Sequence, residues 1–265
     1  MNKKLISRNL LITILSSASL GSLEIYTRHP PAAIASESTT PLSNLVFNRP
    51  EVPPGVDYPG RTSDSGSRGE CVALNPHLTA LAPKHEVYSE QNEDQLEARH
   101  VWGHTLSAHP TIWFNLTEVG PNMTFEVRLE DESGAQVHSF TDVDLPDSPG
   151  LFSFTLPDED LALTEGDRYY WKAIARINCN DAETKTLKVD GWIVRTAPST
   201  NLSTQLSNTT PAERITLLAE NGIWFDTLNE LIEHQPEQSA FNAAWESLME
   251  PFDFNIEPIF PQTAQ

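Results

Sequence analysis

Two cysteines are the residues of this sequence best suited to covalent chemistry. Cys71 ends the stretch "SRGEC", and Cys179 ends the stretch "RINC". A reactive cysteine needs a neighbouring base that keeps it as a thiolate, and no histidine lies next to Cys71 in the sequence. An even number of cysteines in an oxidising compartment favours a disulfide, so we predict a bond between Cys71 and Cys179. Two free buried thiols are the alternative.

The densest group of histidines is found in the stretch "HVWGHTLSAH", which contains His100, His104 and His109. A spacing of four residues would place two imidazoles on one face of a helix, where they could bind zinc. Gly103 interrupts such a helix, however, and a strand pattern begins soon after His109. We therefore interpret this stretch as a loop, and we predict no metal site and no cofactor.

Clusters of carboxylates in "DVDLPD" and "PDEDLALTEGD" could bind calcium. The first cluster lacks the glycine and the glutamate that an EF-hand loop requires, so solvated turns are the favoured interpretation of both. Two carboxylates from distant strands could also act as the acid and the base of a glycosidase. No G-x-S-x-G or H-E-x-x-H motif occurs, and we predict no catalytic residues.

Large apolar side chains occur at two kinds of position that could bind a partner. Three of them follow Gly222, between two predicted helices, and form a candidate protein-docking site: Ile223, Trp224 and Phe225. In such a tight connection, apolar side chains either fill the core or present a docking surface. Three separate tryptophans would suit a carbohydrate-binding module if they were exposed: Trp102, Trp113 and Trp192.

Charge and the N-terminal residues indicate where the protein acts. Its net charge of −20 repels nucleic acid, which is therefore excluded as a partner. Lys3, Lys4 and Arg8 precede an apolar run over residues 9–23 that is too short to span a bilayer, and a small-residue cleavage pattern ends at Ala35. We predict a signal peptide over residues 1–35, no membrane association after its removal, and a periplasmic or secreted protein. Cleavage near residues 18–21 and an uncleaved anchor are the alternatives.

Periodicity divides the remaining chain into four segments. Residues 36–70 are rich in proline and serine and are interpreted as a poorly packed linker. Residues 71–198 contain short alternating segments such as "MTFEVRLE", which predict an antiparallel β-sandwich of the immunoglobulin or fibronectin type. Leu163, Gly166 and Tyr169 have the spacing of a tyrosine corner, which favours this fold over a small open barrel.

Residues 199–252 have a helical period and predict an α-helical appendage packed on the sandwich, followed by a tail over residues 253–265. Thr210, Pro211 and Glu213 form a capping-box pattern at the start of one helix, and Gly222 suits the left-handed end of that helix. Asp226 is a candidate N-cap for the next helix. An apolar stripe in "SAFNAAWESLM" predicts a third.

Several of these stretches occur together, in the same order, in one known family. The sequence resembles exported cyanobacterial proteins catalogued as domain of unknown function 928 in "SRGEC", "LTALAP", "HPTIWFNL", "RYYWKAIARINC", "DGWIVR" and "AERITLLAENGIWFDTLNEL". The resemblance covers about residues 61–250. It implies one extracytoplasmic unit in which "RGEC" and "INC" supply paired cysteines, and it implies no assigned activity.

The sequence as a whole favours a non-enzymatic interaction or scaffold module that acts outside the cytoplasm and binds a protein partner. Two alternatives stay open. One is a secreted hydrolase that uses acidic residues, and the other is a carbohydrate-binding module that uses exposed tryptophans.

Overall fold

The computed structural model describes residue 42 and residues 45–56, 59–64, 76–89, 92–120, 122–141, 143–157, 161–180 and 183–257. The predicted signal peptide and Cys71 lie outside these residues, and so does the side chain of Cys179. The predicted disulfide therefore falls outside the described part of the chain.

The described residues contain nine strands in two sheets. A three-stranded antiparallel sheet has the order β1-β4-β7 and is formed by Leu78–Ala80 (β1), Thr111–Leu116 (β4) and Gly150–Thr155 (β7). A six-stranded sheet has the order β2-β3-β9-β8-β5-β6 and is formed by Lys84–Ser89 (β2), Asn92–Thr105 (β3), Met123–Glu130 (β5), Gln136–Phe140 (β6), Arg168–Asn180 (β8) and Glu183–Arg195 (β9). Strands β3 and β9 run parallel, whereas the other neighbours are antiparallel.

The hairpin of β5 and β6 shows how the local sequence sets the register. Its turn is the stretch "DESG", in which the Asp131 carboxylate accepts hydrogen bonds from the backbone N–H groups of Ser133 and Ala135, at 2.8 and 3.0 Å. Gly134 adopts φ = +80°, a conformation that glycine reaches without a steric penalty. The turn residues therefore set the antiparallel pairing of β5 with β6.

The two sheets share one hydrophobic core. The ring of Phe114 in β4 lies 5.3 Å from that of Phe125 in β5 and 6.2 Å from that of Trp171 in β8, measured between ring centroids. Burial of such aromatic side chains dominates the energy of a core. At the edge of this core, the Tyr169 hydroxyl accepts a hydrogen bond from the backbone N–H of Thr164, at 3.2 Å, so the predicted tyrosine corner contains the contact that defines it. The described chain is thus mainly β.

Four helices follow the sheets: Thr200–Leu206 (α1), Pro211–Glu220 (α2), Trp224–His234 (α3) and Gln238–Met249 (α4), with a short 3₁₀ helix at Glu250–Phe252. The predicted capping box of α2 is confirmed, because the Thr210 and Glu213 side chains bond each other's backbone N–H groups. Gly222 adopts φ = +70°, as predicted for the residue that ends α2. The prediction that Asp226 caps α3 was wrong, since Ile223 occupies that position and Asp226 lies within the first turn.

The prediction of a poorly packed linker was wrong for the described part of residues 36–70. Leu42, Leu45 and Val56 are buried. The backbone N–H of Asn48 donates to the carbonyl of Ala219 in α2, at 3.1 Å, and Phe47 packs edge-on against Trp224 at a centroid distance of 5.0 Å. Leu42 and Leu45 thus belong to the hydrophobic core shared by the two sheets. Among the described helices, none has both the length and the apolar character needed to span a membrane.

Candidate functional site

A cavity of about 350 Å³ lies where the end of β3 meets the first turns of α3. We call it the junction cavity. Its polar lining comes from the end of β3, the start of β4 and their connection, from α2 and from α3: Thr105, Ser107, His109, Thr111, Arg214, Asp226, Asn229 and Glu230. Three of these residues, at positions 226, 229 and 230, share one face of α3 because residues three and four apart on a helix are neighbours.

Asp226 ties α3 to the end of β3. Its carboxylate accepts a hydrogen bond from the Thr105 hydroxyl at 2.7 Å and another from the backbone N–H of Leu106 at 3.2 Å. Burial raises the pKa of the Asp226 carboxyl, and these two hydrogen bonds oppose the rise because they favour the charged form. The position of Asp226 in the first turn also suits a negative charge, since the N-terminal end of a helix carries partial positive charge.

Two further polar contacts hold the other side of the cavity. The Arg214 guanidinium in α2 lies 2.6 Å from a carboxylate oxygen of Glu230 in α3, so an ion pair joins the two helices. The indole N–H of Trp113 in β4 donates to the side-chain oxygen of Asn229 at 3.1 Å. These two contacts fix the α2 and α3 side of the lining.

The junction cavity can offer a polar ligand both hydrogen-bond donors and acceptors. It contains two carboxyls, a guanidinium, an amide and His109. Each carboxyl already has a protein partner, because Asp226 bonds Thr105 and Leu106, and Glu230 pairs with Arg214. Such an arrangement favours recognition over proton transfer, which needs an acid or base free to reach the reacting atom.

Sequence reasoning missed this cavity. The signal that could have found it is the polar spacing in "DTLNE", where an aspartate, an asparagine and a glutamate share one face of a helix that is otherwise largely apolar. The contact between Asp226 and Thr105 joins residues far apart in the sequence, so only the fold reveals it.

The candidate docking residues form part of the core instead. Ile223, Trp224 and Phe225 are 3%, 0% and 2% exposed. The hypothesis that they present a docking surface was therefore wrong. They fill the space between α3 and the sheet because the short connection after Gly222 turns them inward.

The hypothesis of a sugar-binding row of tryptophans was also wrong. Trp102 and Trp192 are buried under the segment that contains Val56, on the outer face of the six-stranded sheet. Trp113 is half-buried, and its N–H is used by Asn229. These three side chains therefore do not form an exposed aromatic surface.

The histidines are divided between a strand and the junction cavity. His100 and His104 lie in β3, so the prediction of a loop was wrong for both, and His109 lines the junction cavity. Four residues along a strand span about 13 Å, which is too far for His100 and His104 to share one ion. No group of three or more metal-binding side chains was found in the part of the chain that the structure describes.

His104 and His85 both pack against the buried Trp102. The His85 ring stacks on the indole at a centroid distance of 5.1 Å, and the His104 ring meets it edge-on at 5.0 Å. Burial, with smaller contributions from the charges of Arg49 and His100, lowers the pKa of His85 to about 4. Burial also lowers the pKa of His104. Both imidazoles are therefore neutral at neutral pH.

Comparison with solved structures finds distant likenesses. CopC from Methylosinus trichosporium OB3b is 13% identical over 44% of this chain and 98% of that chain, with a TM-score of 0.26. The apo structure of Bacteroides uniformis beta-glucuronidase 3 is 10% identical over 44% of this chain, with a TM-score of 0.22, and the match spans 12% of that chain. No curated protein matches the sequence.

Comparison with protein families gives a match over most of the chain. Residues 63–261 match the family described as Domain of Unknown Function (DUF928). The match includes both sheets and all four helices, together with every residue that lines the junction cavity. The chain therefore belongs to the DUF928 family.

Proposed function

We propose that this protein is a non-enzymatic binding module that acts outside the cytoplasm and holds a small polar ligand in the junction cavity. The observation that carries this proposal is the set of contacts that fix the lining. Arg214 pairs with Glu230, and Trp113 donates to Asn229. Polar groups held in this way lose little freedom when a ligand binds, which favours affinity and selectivity.

The composition of the lining points to a ligand that carries both signs of charge. Arg214 can bind a carboxylate, whereas Glu230 can bind an ammonium group. Free amino acids and dipeptides have this chemistry and would fit a cavity of about 350 Å³. A neutral sugar could form hydrogen bonds there, but it has no charged group that could pair with Arg214 or Glu230.

An NMR titration of ¹⁵N-labelled mature protein with amino acids, dipeptides and disaccharides tests the assignment. We expect shifts in residues 105–111 and 226–230 with a zwitterionic compound, and loss of these shifts in Asn229→Ala. The matched control is Asn208→Ala, in the exposed turn that follows α1, which should bind as the wild type does. The assignment is overturned if none of the three compound classes shifts these residues, or if Asn229→Ala binds normally.

Export and the disulfide belong to the same proposal. The basic residues before the apolar run of residues 9–23 support a cleaved signal peptide, and the resemblance of "RGEC" and "INC" to the family motifs supports a Cys71–Cys179 bond. Mass spectrometry of exported protein should find an N-terminus near residue 36, and a thiol assay without reductant should find no free thiol. An intact Met1, or two titratable thiols, would contradict these expectations.

A two-layer sandwich of the immunoglobulin or fibronectin type, with the helices as an appendage, is the architecture we propose for the module. The aromatic contacts between Phe114 and Phe125 across the two sheets support it, and so does the bond between Thr164 and Tyr169. An experimental structure that placed the two sheets in one closed barrel would contradict this proposal.

A secreted hydrolase is the second candidate, and one observation favours it. Asp226 and Glu230 line the same cavity from one face of α3, and burial raises the pKa of Asp226, as is common for a general acid. Assays with chromogenic glycosides and esters distinguish the candidates. Turnover that is lost in Glu230→Gln would establish the hydrolase, whereas the binding module predicts no turnover by the wild type.

A further inference from the structure

A second cavity, of about 270 Å³, lies on the outer face of β8 and β9. We call it the outer-face cavity. Its lining is formed by four cationic side chains, a phenol and a carboxylate: Arg61, Arg128, Lys172, Lys188, Tyr170 and Asp190. None of these residues lines the junction cavity.

Strand register places these side chains side by side. Arg128 of β5 lies opposite Lys172 of β8, which in turn lies opposite Asp190 of β9. Arg61 continues this row, because its backbone bridges to Asp190 and its guanidinium lies 3.2 Å from the Asp190 carboxylate. Lys188 precedes Asp190 by two residues and therefore shares its face of β9.

The local charge is opposite to that of the whole protein. The chain has 37 acidic residues against 17 lysines and arginines, yet four cations and one carboxylate line this cavity. Two neighbouring carboxylates reduce the excess, since Glu126 pairs with Arg128 and Arg176, and Glu130 pairs with Lys172. Lys188 has no ion-pair partner among the residues that the structure describes.

Two of these cations face each other across neighbouring strands, and each is also paired with a carboxylate. Two cations directly opposite each other on neighbouring strands, as Arg128 and Lys172 are, repel each other. Sequences usually avoid such conflicts except at functional sites. Glu126 and Glu130 offset part of this repulsion, and an anion bound between the two cations would offset it further.

The cationic groups are fixed and remain accessible. Asp190 is almost fully buried and holds the guanidinium of Arg61, and Glu130 holds the ammonium of Lys172. The side chains of Arg61, Arg128 and Lys172 nevertheless keep between a third and a half of their surface exposed. A ligand can therefore reach donors that are already oriented, which is the arrangement that binds oxyanions well.

The volume of the cavity and the apolar part of its lining narrow the class of ligand further. The cavity has room for about nine water volumes, more than a bare oxyanion fills. The buried side chain of Ile174 and the ring of Tyr170 provide apolar contact for an attached group. A sugar ring has a suitable size and presents C–H faces to such surfaces.

We propose that the outer-face cavity binds a phosphorylated or sulfated sugar, with the oxyanion between the four cations and the sugar against Tyr170 and Ile174. The proposal is independent of the ligand assigned to the junction cavity, because the two linings share no residue.

The test is an isothermal titration of the mature protein with glucose 6-phosphate, glucose 6-sulfate, inorganic phosphate and glucose, at low ionic strength and pH 7. We expect at least one of the two esters to bind at least tenfold more tightly than inorganic phosphate, and glucose not to bind. If inorganic phosphate binds as tightly as both esters, the role of the sugar is overturned. If neither ester binds, the whole proposal is overturned.

Lys188→Gln locates the site, because this lysine has no described ion-pair partner whose loss would disturb folding. We expect it to weaken binding of the ester at least fivefold. The control Arg99→Gln removes an equal charge from β3, where Arg99 pairs with Glu86, and should change binding less than twofold. Equal weakening in both variants would mean that the ester responds only to overall charge and would overturn the assignment.

Discussion

The indole nitrogen of Trp224 lies 2.8 Å from the backbone carbonyl oxygen of Leu81. The donor belongs to the first turn of α3, and the acceptor lies in the connection between β1 and β2. This bond, made by a fully buried side chain, fixes the helical segment to the sheets at the point where Phe225 packs on Gly103. The same turn of α3 carries Asp226 to the junction cavity.

Replacement of Trp224 should therefore destabilise the whole protein. Trp224→Ala removes a large buried ring and should lower the free energy of unfolding by about 3–5 kcal/mol. Trp224→Phe keeps part of the ring but leaves the Leu81 carbonyl without its donor, at a cost of about 1–3 kcal/mol. Urea unfolding followed by circular dichroism measures both values. A loss below 1 kcal/mol for Trp224→Ala would contradict the core position of this side chain.

Asp226 should make the stability depend on pH in an unusual direction. Because burial raises its pKa, this carboxyl contributes stability that is fully present below the pKa of the unfolded chain and is lost as the pH rises through the folded pKa. Asp226→Asn carries no charge and should not show this loss. We expect the wild type to lose stability relative to Asp226→Asn as the pH rises above the ordinary pKa of an aspartate, measured by urea unfolding at each pH. A constant difference would contradict the raised pKa.

His85 should make the protein less stable as the pH falls, which is the opposite of the effect of Asp226. Its pKa is lowered to about 4, so the unfolded chain takes up the proton first as the pH falls. Its contribution is fully present above pH 6.5 and is lost between about pH 6.5 and pH 4. Partial exposure screens the effect, and we expect about 1–2 kcal/mol.

His85→Gln provides the comparison for this effect, because glutamine does not titrate. The variant should show a flatter decline of unfolding free energy between pH 6.5 and pH 4 than the wild type does. Glu126, whose pKa is lowered to about 2 mainly by its bond with Arg128, contributes stability that is lost only below pH 4.5. An unchanged slope above pH 4.5 in His85→Gln would contradict the assignment to His85.

Gly191 should not tolerate even a methyl group. A Cβ atom there would lie 2.7 Å from a methyl carbon of Val101 and 2.8 Å from the Val101 carbonyl oxygen. We expect Gly191→Ala to lower the free energy of unfolding by about 1–3 kcal/mol. Addition of Val101→Ala removes the first conflict but not the second, so it should fail to restore wild-type stability. Full recovery in the double variant would show that the backbone contact is unimportant.

Substitution of Phe47 tests whether the segment before β1 is part of the folded unit. It packs against Trp224 and Phe252, whereas its neighbour Val46 is 62% exposed. Phe47→Ala should lower the free energy of unfolding by about 2–3 kcal/mol, and Val46→Ala should change it by less than about 0.5 kcal/mol. Similar small losses in both variants would mean that the segment is only loosely attached.

The sequence predicted the features that depend on neighbours along the chain. Alternation in "MTFEVRLE" is visible locally, and so is the capping box of Thr210 and Glu213. Strand β3 was missed because its first half is rich in charged residues, although His100, Trp102 and His104 alternate with smaller residues in its second half. Gly191 lies in regular register opposite Trp171, and the close approach of Val101 that explains this glycine is not visible in the local sequence.

Features that depend on distant residues could not be predicted. The Asp226 carboxylate accepts a hydrogen bond from Thr105, and Arg61 forms an ion pair with Asp190. Nothing in the local sequence of either acidic residue identifies these partners. The proline-rich segment around Phe47 has the composition of a linker, and its burial follows only from the apolar surface that α2 and α3 present to it.

The parallel pairing of β3 with β9 should slow the folding of the protein. In the sequence, the five strands β4 to β8 lie between these two partners, so the six-stranded sheet cannot be completed until nearly all of the strands have been synthesised. Pairing over such sequence separations slows folding and exposes strand edges in the meantime. A newly made chain should therefore stay sensitive to proteases, and prone to aggregate, for longer than a protein of similar size built only from hairpins.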